Sequence, residues 1–141
     1  MRKETERRVL AVDPVSRGVG FAVLEGHDNL IDWGIKTTGQ ADNAKSARVI
    51  DKLIDRFRPD ILVLEDWDSA GSRRCGRVQT LLKRIAAKEG KRVLVRLVTR
   101  RQIRAIGPLP LTSTKQGRAS FLAERFPDVQ QIGRASCRER V

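Results

Sequence analysis

Two carboxylates close apolar runs in this sequence, Asp13 in VLAVDPVSRGVGFAV and Glu65 in ILVLEDW. A carboxylate at the end of a buried strand is costly to desolvate unless a cation compensates it, and two carboxylates brought together repel unless a metal ion or a proton lies between them. A divalent ion satisfies both conditions. Mg²⁺ and Mn²⁺ take oxygen ligands, and two such ions about 3.5–4 Å apart can activate a water and stabilise the leaving oxygen of a phosphodiester. Either acid alone reads first as a strand-terminating cap or half of an ion pair, so the pair is the informative feature.

The charge distribution names a partner for such chemistry. Over 141 residues the formal net charge is +12, with 29 Lys and Arg against 17 Asp and Glu. Residues 1–70 hold 11 basic and 13 acidic side chains, whereas Arg73 to Arg118 hold 14 basic side chains and one acid, Glu89. Clustered cations gain affinity for a polyanion by releasing counterions from its phosphates, and nucleic acid is the expected partner. The candidate phosphate contacts are Arg73, Arg74, Arg77, Lys83, Arg84, Arg100, Arg101, Arg104 and Lys115; the plainer alternative is a solvated basic face.

Other classes are disfavoured. No run reaches the ~18–20 apolar residues of a membrane span, and the charged start MRKETERRVL is unlike a signal peptide, so a soluble, cytoplasmic protein is expected with no membrane partner. Cys75 and Cys137 form neither a CxxC pair nor a Cys/His cluster, which argues against zinc and a disulfide scaffold. Gly18-Val19-Gly20 begins like a dinucleotide fingerprint, but Val23 stands at the third glycine position and a strand follows, so no small-molecule cofactor is expected. His27 lies in a turn-type sequence, Gly26-His27-Asp28, and reads as a loop residue. Cys75 reads as structural, Asp66 and Asp68 as solvated loop acids, and Trp33 and Trp67 as core or rim packing before base stacking.

The elements that must position the two acids are legible from periodicity. RRVLAVD and VGFAVLE read as strands, and NLIDWGIKTTG as a third, with Leu30, Asp32, Gly34 and Lys36 on one side and Ile31, Trp33, Ile35 and Thr37 on the other. These form an antiparallel meander. Ala47, Val49, Ile50, Leu53, Ile54 and Phe57 recur at helical spacing up to Arg58-Pro59-Asp60. ILVLEDW is apolar enough for a central parallel strand covered on both faces. Val78, Leu81, Leu82, Ile85 and Ala86 give a second helix ending at Glu89-Gly90, VLVRLV a fifth strand, and Thr99 with Gln102 a capping box for a short basic helix. Ser113 with Gln116 opens a last helix through Ala119, Leu122 and Phe126. The order is βββαβαβαα.

In that order, VLAVDPVSRGVGFAVLEG and PDILVLEDW resemble the ribonuclease H-like superfamily, and specifically the RuvC family of Holliday-junction resolvases, over residues 8–131. The resemblance implies an α/β fold with a mixed five-stranded sheet flanked by helices, and a metal-dependent endonuclease acting on branched, four-way DNA in recombination and repair. It places catalytic and metal-holding roles for Mg²⁺ or Mn²⁺ on Asp13 and Glu65, and puts the helix from Arg73 to Lys88 near DNA. TSTKQGRASFLAERFPDV is similar to the helix before the family's final acidic motif. Gly18 and Gly20 fit a tight approach of the first two strands. A homodimer is implied, because resolving a junction takes two symmetric cuts.

The sequence departs from the family in two places. Val15 stands where the family usually has Gly. The family's last helix, with an Asp pair completing the metal site, would follow where this chain becomes IGRASCRERV, Ile132 to Val141; Asp128 comes too early to replace it. Those ten residues resemble the translation of a sequencing adapter read in frame, so residues 1–131 are expected to be an incomplete nuclease domain and residues 132–141 a non-native tail, the competing view being a short disordered basic tail. On that expectation the chain lacks the final helix, keeps a partial ligand set and binds metal poorly. Two alternatives stand beside the resolvase reading: a non-catalytic nucleic-acid-binding module of the same fold, and a YqgF-like nuclease of ribosomal RNA precursors, against which Glu65 argues.

Overall fold

The structure is a computed structural model and describes residues 6–26, 29–68, 75–107, 111 and 114–126. His27, Arg73, Arg74, Ser113, Asp128, Cys137 and the tail 132–141 lie outside the described residues.

The expected element order is present: β1 (Arg8–Val15), β2 (Gly18–Glu25), β3 (Asn29–Thr37), α1 (Asn43–Phe57), β4 (Ile61–Glu65), α2 (Gly76–Glu89), β5 (Leu94–Val98), α3 (Arg100–Arg104) and α4 (Lys115–Arg125). One five-stranded sheet runs in the order β3-β2-β1-β4-β5. The first three strands form the antiparallel meander, and β4 joins β1 and β5 in parallel. A parallel neighbour needs a crossover, and α1 and α2 supply the two.

Both crossover helices lie on one face. Alternate strand residues Leu10 and Val12, Val19, Phe21 and Val23, and Leu62 and Leu64 meet Ala47, Ile50, Leu53, Ile54 and Phe57 of α1 and Val78, Leu81, Leu82 and Ile85 of α2 in a single core. The helical spacing becomes one buried stripe per helix because i, i+3 and i+4 residues stack on the same side. Asp42 starts α1 by accepting from the Ala44 and Lys45 amides at 2.8 and 3.2 Å. Arg58 ends it in the left-handed region, φ 47°, with its amide on the Ile54 carbonyl. Arg8 ties the strand starts to this end of α1, donating to Phe57 O at 2.7 Å and to Glu25 at 2.7 Å.

Several expectations need revision. Strand β1 continues through Pro14 to Val15, so Asp13 lies within it instead of ending it. Along β3, Leu24 faces Leu30 while Val23 faces Asp32; Ile31 is the extra residue of a bulge. Opposed residues share a face, so the bulge moves Leu30 to the side of Trp33 and Ile35, breaking the simple alternation. The last helix is capped by Thr114, which accepts from the Gly117 amide, one residue later than expected. Gly18 is tight against the third strand, not the first: a Cβ there would lie 2.5 Å from the Lys36 carbonyl oxygen. β4 is central and parallel, yet Leu62 and Leu64 are fully buried while Ile61 and Val63 are only half-buried. Its second face is the floor of an open cleft.

Candidate functional site

The sheet register brings the two acids together. Strands β1 and β4 pair Val9 with Ile61, Leu10 with Leu62 and Ala11 with Val63. The same offset carried two residues further sets Asp13 opposite Glu65, on the face away from the Leu10 and Leu62 core. The described β1–β4 pairing ends at Ala11–Val63, two residues short of the acids. Both line one cleft of about 910 Å³. Asp13 is exposed and Glu65 is buried.

Small side chains keep the floor of this cleft low. Gly20 pairs with Asp13, and a Cβ on it would approach the Asp13 carbonyl oxygen to 3.5 Å, an ordinary contact, so a methyl would fit but a longer side chain would grow into the space beside the carboxylate. Ala11, Ala22, Val63 and Val98 form the rest of the floor, with Trp33 and Ile35 at the β3 side. The opposite wall is cationic: Arg100 and Arg104 from α3, Lys115 and Arg118 from α4.

The wall is positioned by local hydrogen bonding. Glu65 pairs with Val98 across the β4–β5 ladder, and the Asp66 amide donates to the Val98 carbonyl at 2.8 Å. Directly after Val98, Thr99 caps α3: its hydroxyl accepts from the Gln102 amide at 3.1 Å and its amide donates to the Gln102 side chain at 2.8 Å. This reciprocal cap fixes the first turn and delivers Arg100 beside Glu65, Nε 3.4 Å from Oε1. The contact is an ion pair by distance without hydrogen-bond geometry, since the buried Arg100 Nε has no hydrogen-bond partner among the described residues.

Of the basic residues singled out from sequence, Arg100, Arg104 and Lys115 therefore share the cleft with Asp13 and Glu65. Arg101 is exposed on α3 but does not line it. Arg77, Lys83 and Arg84 belong to α2, which packs on the opposite face of the sheet; Lys83 and Arg84 are exposed there. Arg77 donates to Asn43 Oδ1 at 2.9 Å and its carbonyl accepts from Asn43 Nδ2 at 3.1 Å, joining the starts of α1 and α2. Arg118 was missed, although it follows Lys115 by three residues, the spacing that puts two helical side chains on one face. Asp66 caps its own turn, accepting from the Asp68 amide at 3.0 Å, and neither acid lines the cleft. Trp67 packs against the core.

A second ionic cluster lies away from the cleft, where α1 meets the end of α2. Arg92 contacts Glu89 at 2.6 Å, Asp55 at 2.8 Å and Asp51 at 3.2 Å, and Lys88 contacts Asp51 at 2.6 Å. Burial, with the neighbouring Asp51 second, pushes the Glu89 carboxyl above the usual carboxylate range. A hydrogen bond from Glu89, then Lys88, holds Asp51 below it. In the sequence Glu89 is a helix end and the single acid of a basic stretch; its Asp51 partner is remote in the chain. The Cys75 thiol, exposed at the start of α2, is lowered chiefly by the Val78 amide.

No protein-family model matches the chain, and no curated protein sequence does so either. Solved structures do. The RuvC of Thermus thermophilus in complex with a Holliday junction substrate is similar with a TM-score of 0.60 and 16% identity, over 86% of this chain and 79% of that one. A second Thermus thermophilus RuvC structure gives 0.59 and 16%, over 85% and 80%. The fowlpox virus resolvase, in complex with its substrate Holliday junction DNA, gives 0.51 and 14%, over 90% and 76%. The fold is thus the ribonuclease H-like fold of these resolvases. Among the described residues no helix is long and apolar enough to cross a membrane.

Proposed function

We propose that the chain is a metal-dependent endonuclease that hydrolyses phosphodiesters in branched DNA, with the four-way junction as its substrate. The observation that supports this most strongly is the carboxylate pair Asp13 and Glu65 sharing a cleft with Arg100, Arg104, Lys115 and Arg118, in a fold common to junction resolvases. Carboxylates without cations would repel the phosphate backbone, and cations without carboxylates would bind it without cutting.

The two carboxylates are oxygen donors of the kind a hard divalent ion takes, a partial set from which weak binding is expected. Mg²⁺ and Mn²⁺ are held by one or two carboxylates with water and substrate phosphates completing the shell, and a cationic guanidinium already lies 3.4 Å from Glu65. Among the described residues no group of three or more His, Cys, Asp or Glu side chains gathers, so Asp13 and Glu65 are the ligands these residues offer. When bound, the ion supplies an activated water and charge stabilisation at the leaving oxygen. The chain's own part is to aim two carboxylates from adjacent strands, to hold a strand's phosphates against Arg104, Lys115 and Arg118, and to keep the floor clear with Ala11, Gly20 and Ala22. Arg101 would make an outlying contact, whereas Lys83 and Arg84 lie on α2 across the sheet from the cleft. A homodimer and a non-native tail at residues 132–141 belong to the same reading.

The test is a labelled four-way junction incubated with Mn²⁺, with duplex and structured RNA as competitors and with Asp13→Asn and Glu65→Gln alongside. Junction cuts lost in both variants are the expected result. Salt-sensitive binding without cleavage would leave a binding module, and preferential RNA cutting would favour an RNA-processing nuclease.

A further inference from the structure

We propose that Arg100 is a resident counter-cation of Glu65, and that a divalent ion must displace it to enter the site. The proposal rests on the metal-site reading above. Its own support is geometric. Arg100 Nε is buried and lies 3.4 Å from Glu65 Oε1, with no hydrogen bond to any described residue. A buried guanidinium nitrogen that is close to a carboxylate, yet not oriented to hydrogen-bond it, is held chiefly by charge.

The capping box explains how it stays there. Thr99 and Gln102 fix the first turn of α3, and the Glu65–Val98 pairing fixes where that turn begins. Arg100 cannot be moved far by backbone motion; only its side chain can leave. The rest of the guanidinium has somewhere to go, since the side chain is 37% exposed at the cleft wall. In the metal-free protein Arg100 offsets part of the repulsion between Asp13 and Glu65. A divalent ion placed between the same carboxylates would face that positive charge across a single contact distance, so binding and the ion pair with Glu65 exclude one another. Once displaced, the guanidinium remains at the wall where the DNA phosphates are proposed to pass, and the arrangement couples ion entry to the appearance of a phosphate-binding group.

The experiment is Mn²⁺ titration of the DNA-free protein, followed by electron paramagnetic resonance of the free ion, for the wild type, Arg100→Gln, Arg100→Lys and Glu65→Gln. Arg100→Gln is expected to tighten Mn²⁺ binding about tenfold, roughly 1.4 kcal/mol. Arg100→Lys, which retains the charge, is expected to stay within about twofold of wild type. Thermal unfolding in EDTA gives a second readout: Arg100→Gln should melt lower than wild type without metal and regain the difference with Mn²⁺, which a purely structural defect would not do. If Arg100→Gln binds Mn²⁺ no more tightly than wild type while Glu65→Gln loses binding, the counter-cation proposal fails and the metal site stands. If neither wild type nor Arg100→Gln binds Mn²⁺ in a Glu65-dependent way, both fail.

Discussion

Replacing Asp13 by Asn should remove cleavage and at the same time make the metal-free protein more stable. Asp13 and Glu65 line one cleft on adjacent strands paired as far as Ala11–Val63, and the strand spacing of about 4.8 Å is the separation assumed for their charges. Two unit charges about 5 Å apart repel by roughly 3 kcal/mol at an effective dielectric of 20 and by about 0.8 kcal/mol in water. Asp13 is exposed, which puts the true value near the lower bound, and Arg100 beside Glu65 offsets part of it. The expected gain for Asp13→Asn is therefore about 0.5 kcal/mol, or about 2 °C in melting temperature for a domain of this size. Calorimetry in EDTA at low ionic strength measures it, paired with the junction assay on the same preparations. Screening gives an internal control, because the Debye length falls from about 10 Å at 0.1 M salt to about 3 Å at 1 M and the gain should shrink with it. A stability difference between Asp13→Asn and wild type that is the same at about 0.1 M and about 1 M salt would refute repulsion between the two carboxylates.

Glu89→Gln should flatten the pH dependence of stability. With its carboxyl raised, Glu89 contributes stability that is present at low pH and is lost as pH rises through its folded value; Asp51, lowered, contributes stability that is lost as pH falls through its own. The amide can donate to Asp51 and accept from Arg92 at any pH, so in urea titrations the variant should gain on wild type toward neutral pH, and a parallel pair of curves would count against the shared hydrogen bond. Neutralising Arg104, Lys115 and Arg118 together should weaken junction binding at least tenfold and lower the salt slope by about 3, near 0.9 for each phosphate that is no longer neutralised. Neutralising Lys83 and Arg84 on the far face should change the slope by less than about 1; equal effects in fluorescence anisotropy would mean that DNA engages α2 instead. Gly18→Ala should cost about 2–3 kcal/mol in urea unfolding, because its Cβ would lie 2.5 Å from a backbone oxygen of β3 that cannot swing aside.

The sequence by itself determined the element order, the stripes of α1 and α2 and the α3 capping box, because each of these is written within a window of a few to fifteen residues. Periodicity reports which side of an element is apolar, and caps report where it starts. It could not report which elements share a face. Lys83 and Arg104 are equally basic, and only the packing of both α1 and α2 on the Leu62 side of the sheet separates one from the cleft and leaves the other in it. The bulge at Ile31 is likewise invisible locally, since it depends on the partner strand's register. The same holds for contacts made over long separations: Glu89 with Asp51 joins two helices, and Arg100 with Glu65 joins the start of α3 to the end of β4. Chemistry was legible as residue types, whereas geometry was decided by tertiary pairing, because a carboxylate's role depends on the charge a strand spacing away and not on the residue beside it in the chain.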